Sequence, residues 1–271
     1  ADFDEWYWLA QLNQAHAVRY GIERFRVLEP LCRGTVVWQL NDCWPSLSWS
    51  VIDVADRWKP VAYSVREAYR DRIVVLRIED GTPVLYGCNS TNTAWDVSVE
   101  VQRWHGGEQD VVTHVSGTIP PHSAGVLPLG DLGRALAADE LLVATAPHTR
   151  SVVLGQTDRE FPFVEPDYGV DVSYSSGAVA VTIAARSLIR DATLPVADVD
   201  PAAHSDINVV TLLPGESATW TIRTSQPSTF DERTIRGILK TAHAASVTDP
   251  TFRSLAMLEA EKAERRAATG A

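Results

Sequence analysis

Long apolar runs are missing from this chain. None of its segments approaches the ~18 residues that a membrane-spanning helix needs, and no secretory signal heads it, so a protein without helical spans is expected. Positive charge is scarce as well. Against 35 acidic residues stand 24 basic ones, a net charge of −11, and nucleic acid is excluded as a partner because its phosphates demand a basic face. Among the basic residues only Lys59, Lys240 and Lys262 are lysines, which reads as codon bias rather than a functional device. Cysteine is down to three, Cys32, Cys43 and Cys88, an odd number without metal-ligand spacing. Cys32 and Cys43 bracket a predicted strand too long for a disulfide to span. Free, mostly buried thiols are expected, and with them a reducing, cytoplasmic compartment. The seven histidines form no H-x-x-x-H pair, so no metal and no cofactor is assigned.

Tryptophan, by contrast, is crowded. Four of the nine, Trp38, Trp44, Trp49 and Trp58, fall within residues 38–58, interleaved with Asn41, Asp42, Ser46 and Ser48. Core packing spreads tryptophan out. Flat aromatic faces among hydrogen-bonding groups suit a polar ligand that also has apolar faces, and sugars are such ligands.

The surrounding pattern predicts helix, buried strand, loop, helix. Residues 3–25 carry Phe3, Trp6, Leu9, Ala10, Ala17, Val18 and Ile22 at helical spacing, without proline. Residues 34–40 (GTVVWQL) are a short apolar run bounded by Gly and Asn-Asp, as in a strand buried on both faces of a parallel sheet. Residues 58–69 return to helical spacing. In α/β barrels the loops after the strands' carboxyl ends carry the site, and residues 38–58 occupy that position.

The motif Trp38-Gln39-Leu40-Asn41-Asp42, Trp44-Pro45, Ser48-Trp49-Ser50, Asp53, Arg57-Trp58-Lys59 and Tyr63 resembles the end of the catalytic barrel in β-mannosidases of glycoside hydrolase family 2. The stretch from Leu9 to Ala15 is similar to the helix before that strand, and LLPGES at 212–217 resembles, more weakly, a turn in the last β domain. The resemblance implies an exo-acting, retaining enzyme that removes terminal, non-reducing β-D-mannose. It makes Trp38 the sugar platform and Asn41, Asp42 and Trp44 further candidate substrate contacts. The alternatives are that Asn41 and Asp42 end the strand and cap a turn and that Trp44, with Trp49, locks the loop against the barrel. Asp53 with Arg57 or Lys59 is read as a loop-fixing ion pair.

Retaining glycosidases need two carboxylates roughly 5 Å apart across the scissile bond. In this family the acid/base is the Glu of an Asn-Glu pair after barrel strand four, and the nucleophile is a Glu after strand seven. No Asn-Glu dipeptide occurs here. Both glutamates are expected upstream of Ala1, so no catalytic residue is assigned, and the chain is expected to be the inactive carboxyl-terminal part of a larger enzyme.

Past Arg72 the pattern alternates. Short strands are predicted at 73–78, 84–88, 95–104, 111–119, 124–129, 141–146 and 151–156, at close to the spacing of a β-sandwich. A second, smaller set is predicted at 170–174, 178–184, 207–212 and 217–224. Trp95, Trp104 and Trp220 are assigned to core or edge. Residues 251–266, rich in Ala, Glu and Arg, predict a terminal helix. The expected fold class is multidomain α+β: a remnant of a (β/α)8 barrel (1–71), two immunoglobulin-like antiparallel β-sandwich domains (72–164 and 165–250) and a C-terminal helix (251–271). The alternative function is a non-catalytic carbohydrate-binding or structural β-sandwich module. The expected partner is a mannose-containing oligosaccharide; oligomeric state is left open.

Overall fold

The computed structural model describes residues 3–175 and 177–246. The terminal helix expected at 251–266 lies outside the described residues. The chain opens with α1 (Phe3–Arg26), which has Asp4 and Glu5 in its first turn and Arg24 and Arg26 in its last, the charge order that complements a helix dipole. It buries Trp8, Leu12, Ala15 and Ile22. The second helix, α2 (Pro60–Ala68), starts on a proline, whose missing N–H is no loss in a first turn. Ala15 of α1 packs with Val51 and with Val61, Ala62 and Tyr63 of α2.

Residues 34–40 do not form the buried strand that their composition predicts. Val36 is 94% exposed and Trp38 71%. A strand buried on both faces needs a partner on each side to satisfy its backbone and cover its side chains, and no described strand flanks this segment. What forms instead is local. The backbone of 39–42 pairs with 51–52 through an Asn41–Ile52 parallel bridge, and Ile52 pairs in turn with Trp58. The loop between is folded against its own stem.

The alternating segments become strands where expected: β1 (Arg72–Glu79), β2 (Thr82–Asn89), β3 (Trp95–His105), β4 (Glu108–Ile119), β5 (Ser123–Leu127), β6 (Glu140–Ala146) and β7 (Thr149–Leu154). They form two antiparallel sheets, β1-β2-β5 and β4-β3-β6-β7. Asp80-Gly81 closes the first hairpin with both residues at positive φ, the two-residue turn that matches strand twist. Between the sheets sit Val74, Leu76, Leu85, Trp95, Val99, Val101 and Leu142.

The second set is more irregular. β8 (Tyr168–Ser175), β9 (Ala178–Ala185), β11 (His204–Ser205) and β13 (Ser217–Arg223) make one sheet in the order β11-β13-β9-β8, and β10 (Ile189–Ala192) pairs with β12 (Val210–Leu212). The strand predicted at 207–212 starts only at Val210, because Val209 turns through φ +58° and Asn208 spends its amide on Leu194. β10, β11 and the short helix α3 (Glu232–Ile238) had no alternating signal. Trp220 is fully buried in this core beside Ile222, Phe230 and Ile235, and its indole N–H donates to Asn208. A third cluster joins the two sets: Trp104, Leu141 and Val143 on the outer face of the β3–β6 pair meet Leu188 and Leu213. Trp95, Trp104 and Trp220 are thus all core.

Among the described residues no helix is long and apolar enough to cross a membrane. Cys88 is buried and burial pushes its thiol up to about 12. Cys43, expected inside, is exposed, because the strand that was to bury its neighbourhood does not form.

Candidate functional site

The loop between residues 41 and 58 is organised from within. Asp42, 6% exposed, accepts from the Ser48 hydroxyl on one carboxylate oxygen at 2.5 Å and from the Ser50 hydroxyl on the other at 2.6 Å. Lys59, 7% exposed, sends its ammonium to the same Asp42 oxygen at 3.3 Å, to the Ser48 carbonyl at 3.3 Å and to the Ser50 hydroxyl at 2.6 Å. Hydrogen bonds from Ser48 and Ser50 lower the Asp42 carboxyl to about 2, burial opposing them and Lys59 assisting. Asp42 therefore stays ionised, and both its oxygens are occupied inside the loop. Asp42 thus has an internal role in holding the loop. Asp53 takes the backbone N–H groups of Ala55 and Arg57 and the Arg57 guanidinium at 2.6 Å, the loop-fixing pair expected, with Arg57 rather than Lys59.

With Asp42, Ser48, Ser50 and Lys59 turned inward, the loop's indoles turn outward. Trp38, Trp44 and Trp49 are all exposed. They do not share one site. Trp44 and Trp49 line a cavity of about 560 Å³ between the loop and α1, with Trp6, Tyr7, Ala10 and Gln14 of the helix forming the opposite wall. Trp38 and Asn41 are not in its lining; Asn41 is exposed, and its amide donates to the backbone carbonyl of Asp42. Of the four residues expected to bind substrate, the structure brings Asp42 and Trp44 to this cavity and leaves Trp38 and Asn41 outside it.

Three residues were missed in the sequence. Lys59 is expected only as an alternative to Arg57 at Asp53, and the signal for its pairing with Asp42 is burial, which no local pattern encodes. Trp6 and Gln14 were taken as helix residues alone, although positions 6, 10 and 14 fall on one helical face. Gln14 donates to the carbonyls of Trp49 at 2.7 Å and Ser50 at 3.3 Å, tying helix to loop. No group of three His, Cys, Asp or Glu able to hold a metal exists among the described residues.

Paired antiparallel sheets behind a helix–loop–helix with an aromatic, hydrogen-bonding loop define the class. The fold is shared with parts of longer solved structures: β-D-mannosidase from Dictyoglomus thermophilum superposes with a TM-score of 0.68 at 21% identity, over 89% of this chain and 30% of that one. Amycolatopsis orientalis exo-chitosanase follows at 0.58 and 15%, over 86% of this chain and 33% of the other. Sequence narrows it further. Beta-mannosidase B of Aspergillus flavus is 36% identical over 81 residues, 29% of this chain and 10% of that protein, and the Aspergillus niger protein of the same name matches equally. No protein-family profile matches the chain. The chain matches part of a glycoside hydrolase family 2 β-mannosidase, spanning about a tenth of these curated relatives and a third of the solved structures.

Proposed function

We propose that this chain is the carboxyl-terminal part of an exo-acting, retaining β-mannosidase that removes terminal non-reducing β-D-mannose from oligosaccharides. The observation that carries the reading is the unbroken run from Trp38 to Tyr63, together with relatives named β-mannosidase in both sequence and fold. In that enzyme residues 1–71 are the last helix, strand and helix of a barrel. Residues 34–40 become a strand there because neighbouring strands supply the ladder partners they lack here. Residues 72–164 and 165–250 are immunoglobulin-like sandwiches that brace the barrel. Trp38 floors the terminal mannose, Asn41 and Trp44 contact sugar, and Asp42 sets the loop that carries Trp44. The location is cytoplasmic, in keeping with three free thiols.

The chain by itself is inactive toward β-mannosides, since no Asn-Glu pair is present to supply the acid/base. Purified chain should not turn over an aryl β-mannoside, while the longer polypeptide should. Turnover by the 271 residues, free of contaminating enzyme, would overturn this part of the reading. In the longer enzyme Trp38→Ala should remove stacking worth roughly 1–3 kcal/mol, seen in kcat as well as KM, because stacking on the flattened, oxocarbenium-like ring grows toward the transition state. Normal kinetics per folded molecule would leave Trp38 a scaffold residue. The second reading, a non-catalytic carbohydrate-binding module, is favoured by one observation, the cavity between α1 and the loop, which this chain encloses unaided.

A further inference from the structure

The cavity between α1 and the loop has features that the Trp38 platform does not. Its walls come from two elements that are cross-tied, Gln14 holding the loop at Trp49 and Ser50, so it is formed before any ligand arrives. Three exposed indoles, Trp6, Trp44 and Trp49, face it from both sides. The charge in its lining is one buried pair, Asp42 with Lys59, which neutralises itself and is further satisfied by Ser48 and Ser50. A charged ligand would find no counter-ion there. The polar groups left over are neutral: the amide of Gln39, the hydroxyls of Ser46 and Tyr7 and the three indole N–H groups make no hydrogen bond among the described residues. Aromatic faces with unspent neutral donors and acceptors, and no net charge, match a neutral pyranose, whose C–H faces stack while its hydroxyls are read.

We propose that this cavity is a second saccharide site, separate from Trp38, in which a neutral pyranose lies between Trp6 on the helix and Trp44 and Trp49 on the loop. The inference rests on the reading of the chain as part of a sugar-acting protein, but it does not need that protein's catalytic activity. Trp6 is its distinguishing residue, since it lies on a different element from the Trp38–Trp58 run and serves no part of the proposed catalytic pocket. Lys59 acts through Asp42 and Ser50 as a positioning residue that keeps the loop wall in place.

The test titrates the purified chain with β-1,4-mannobiose, followed by calorimetry and tryptophan fluorescence, and repeats it with Trp6→Ala, Trp44→Ala and Trp38→Ala. All three positions are exposed, and equal melting temperatures verify that each variant folds. Saturable binding that weakens about tenfold or more in Trp6→Ala, the wall residue that belongs to this cavity alone, is the expected result. Cellobiose binding with the same Trp6 dependence also supports the cavity, while withdrawing the preference for mannose. Absence of saturable binding by the unaltered chain at tens of millimolar sugar overturns the proposal, as does binding that depends on Trp38 and not on Trp6. Failure of the mannosidase reading would show separately, as a longer enzyme without turnover whose 271-residue part still binds sugar through Trp6.

Discussion

Lys59 is one of three lysines in the chain and is sealed in a protein that otherwise uses arginine. The geometry accounts for the choice. An ammonium offers three N–H donors from one point, and the loop converges three acceptors on it, Asp42, the Ser48 carbonyl and the Ser50 hydroxyl. A planar guanidinium could not aim at all three. Lys59→Met should therefore lower the melting temperature and speed hydrogen exchange across residues 42–50, since it strands a buried carboxylate. Asp42→Asn should cost less, because the amide keeps an acceptor for one serine hydroxyl. The double variant should lose less than the sum of the two, as expected of groups in direct contact. Strictly additive losses in the three melts would show that Lys59 acts through the serines alone. The sequence showed that this loop is special but not what Asp42 does there: an Asp exposed to sugar and an Asp buried under a lysine read alike.

The sheets, element by element, were the most legible part of the chain, because strict alternation survives wherever one sheet face is buried and the other is not. Two glycines mark where packing rather than pattern decides. A Cβ on Gly155, just after β7, would lie 1.7 Å from the backbone oxygen of Ala137, beside the Gly155 N–H bond to Glu140. Backbone cannot step aside as a side chain can, so Gly155→Ala should destabilise by about 1–3 kcal/mol. Gly21, inside α1, has nothing within 4 Å of its added Cβ, and Gly21→Ala should stabilise by about 0.5–1 kcal/mol through helix propensity and a less flexible unfolded chain. Denaturant midpoints of the two variants should move in opposite directions; a shift of the same sign in both would contradict the contact geometry.

Across the whole molecule, the first helix is bound to the second set of sheets, and to the segment that joins the two sets, by a largely buried charge cluster. His16 of α1 lies 2.7 Å from Asp191 in β10 and 3.3 Å from Asp158 in the segment joining the two sets, and Arg190 reaches both carboxylates. Burial pulls the His16 imidazole down, but the Asp191 charge and the hydrogen bonds to Asp158 and Asp191 outweigh it, against Arg190, and raise it to about 9. A histidine raised from its ordinary 6.5 contributes stability that is fully present below pH 6.5 and lost as pH climbs through 9, roughly 3 kcal/mol between the limits. Asp158 and Asp191 are depressed despite burial, so their contribution is present above the ordinary 3.8 and lost as pH falls below it. Stability should plateau between these limits, and His16→Asn should flatten the alkaline limb. Unfolding midpoints at pH 6, 7.5 and 9 measure it; parallel curves for both proteins would mean the cluster does not couple the layers.

The sequence by itself determined the elements that carry a period: α1, α2 and the seven strands of the first sheet pair, because amphipathic spacing is written residue by residue. It also determined the aromatic loop, since tryptophan clustering is visible without a fold. Tertiary structure alone decided what depends on neighbours distant in the chain. Residues 34–40 have the composition of a buried strand but no strand beside them among the described residues, so their backbone leaves the ladder and Trp38 stands in the open. Trp6 became the opposite wall of a cavity only when the helix bearing it closed over a loop more than thirty residues away. The same folding turned Asp42 inward, because the serines and Lys59 that fill its hydrogen bonds converge only in three dimensions.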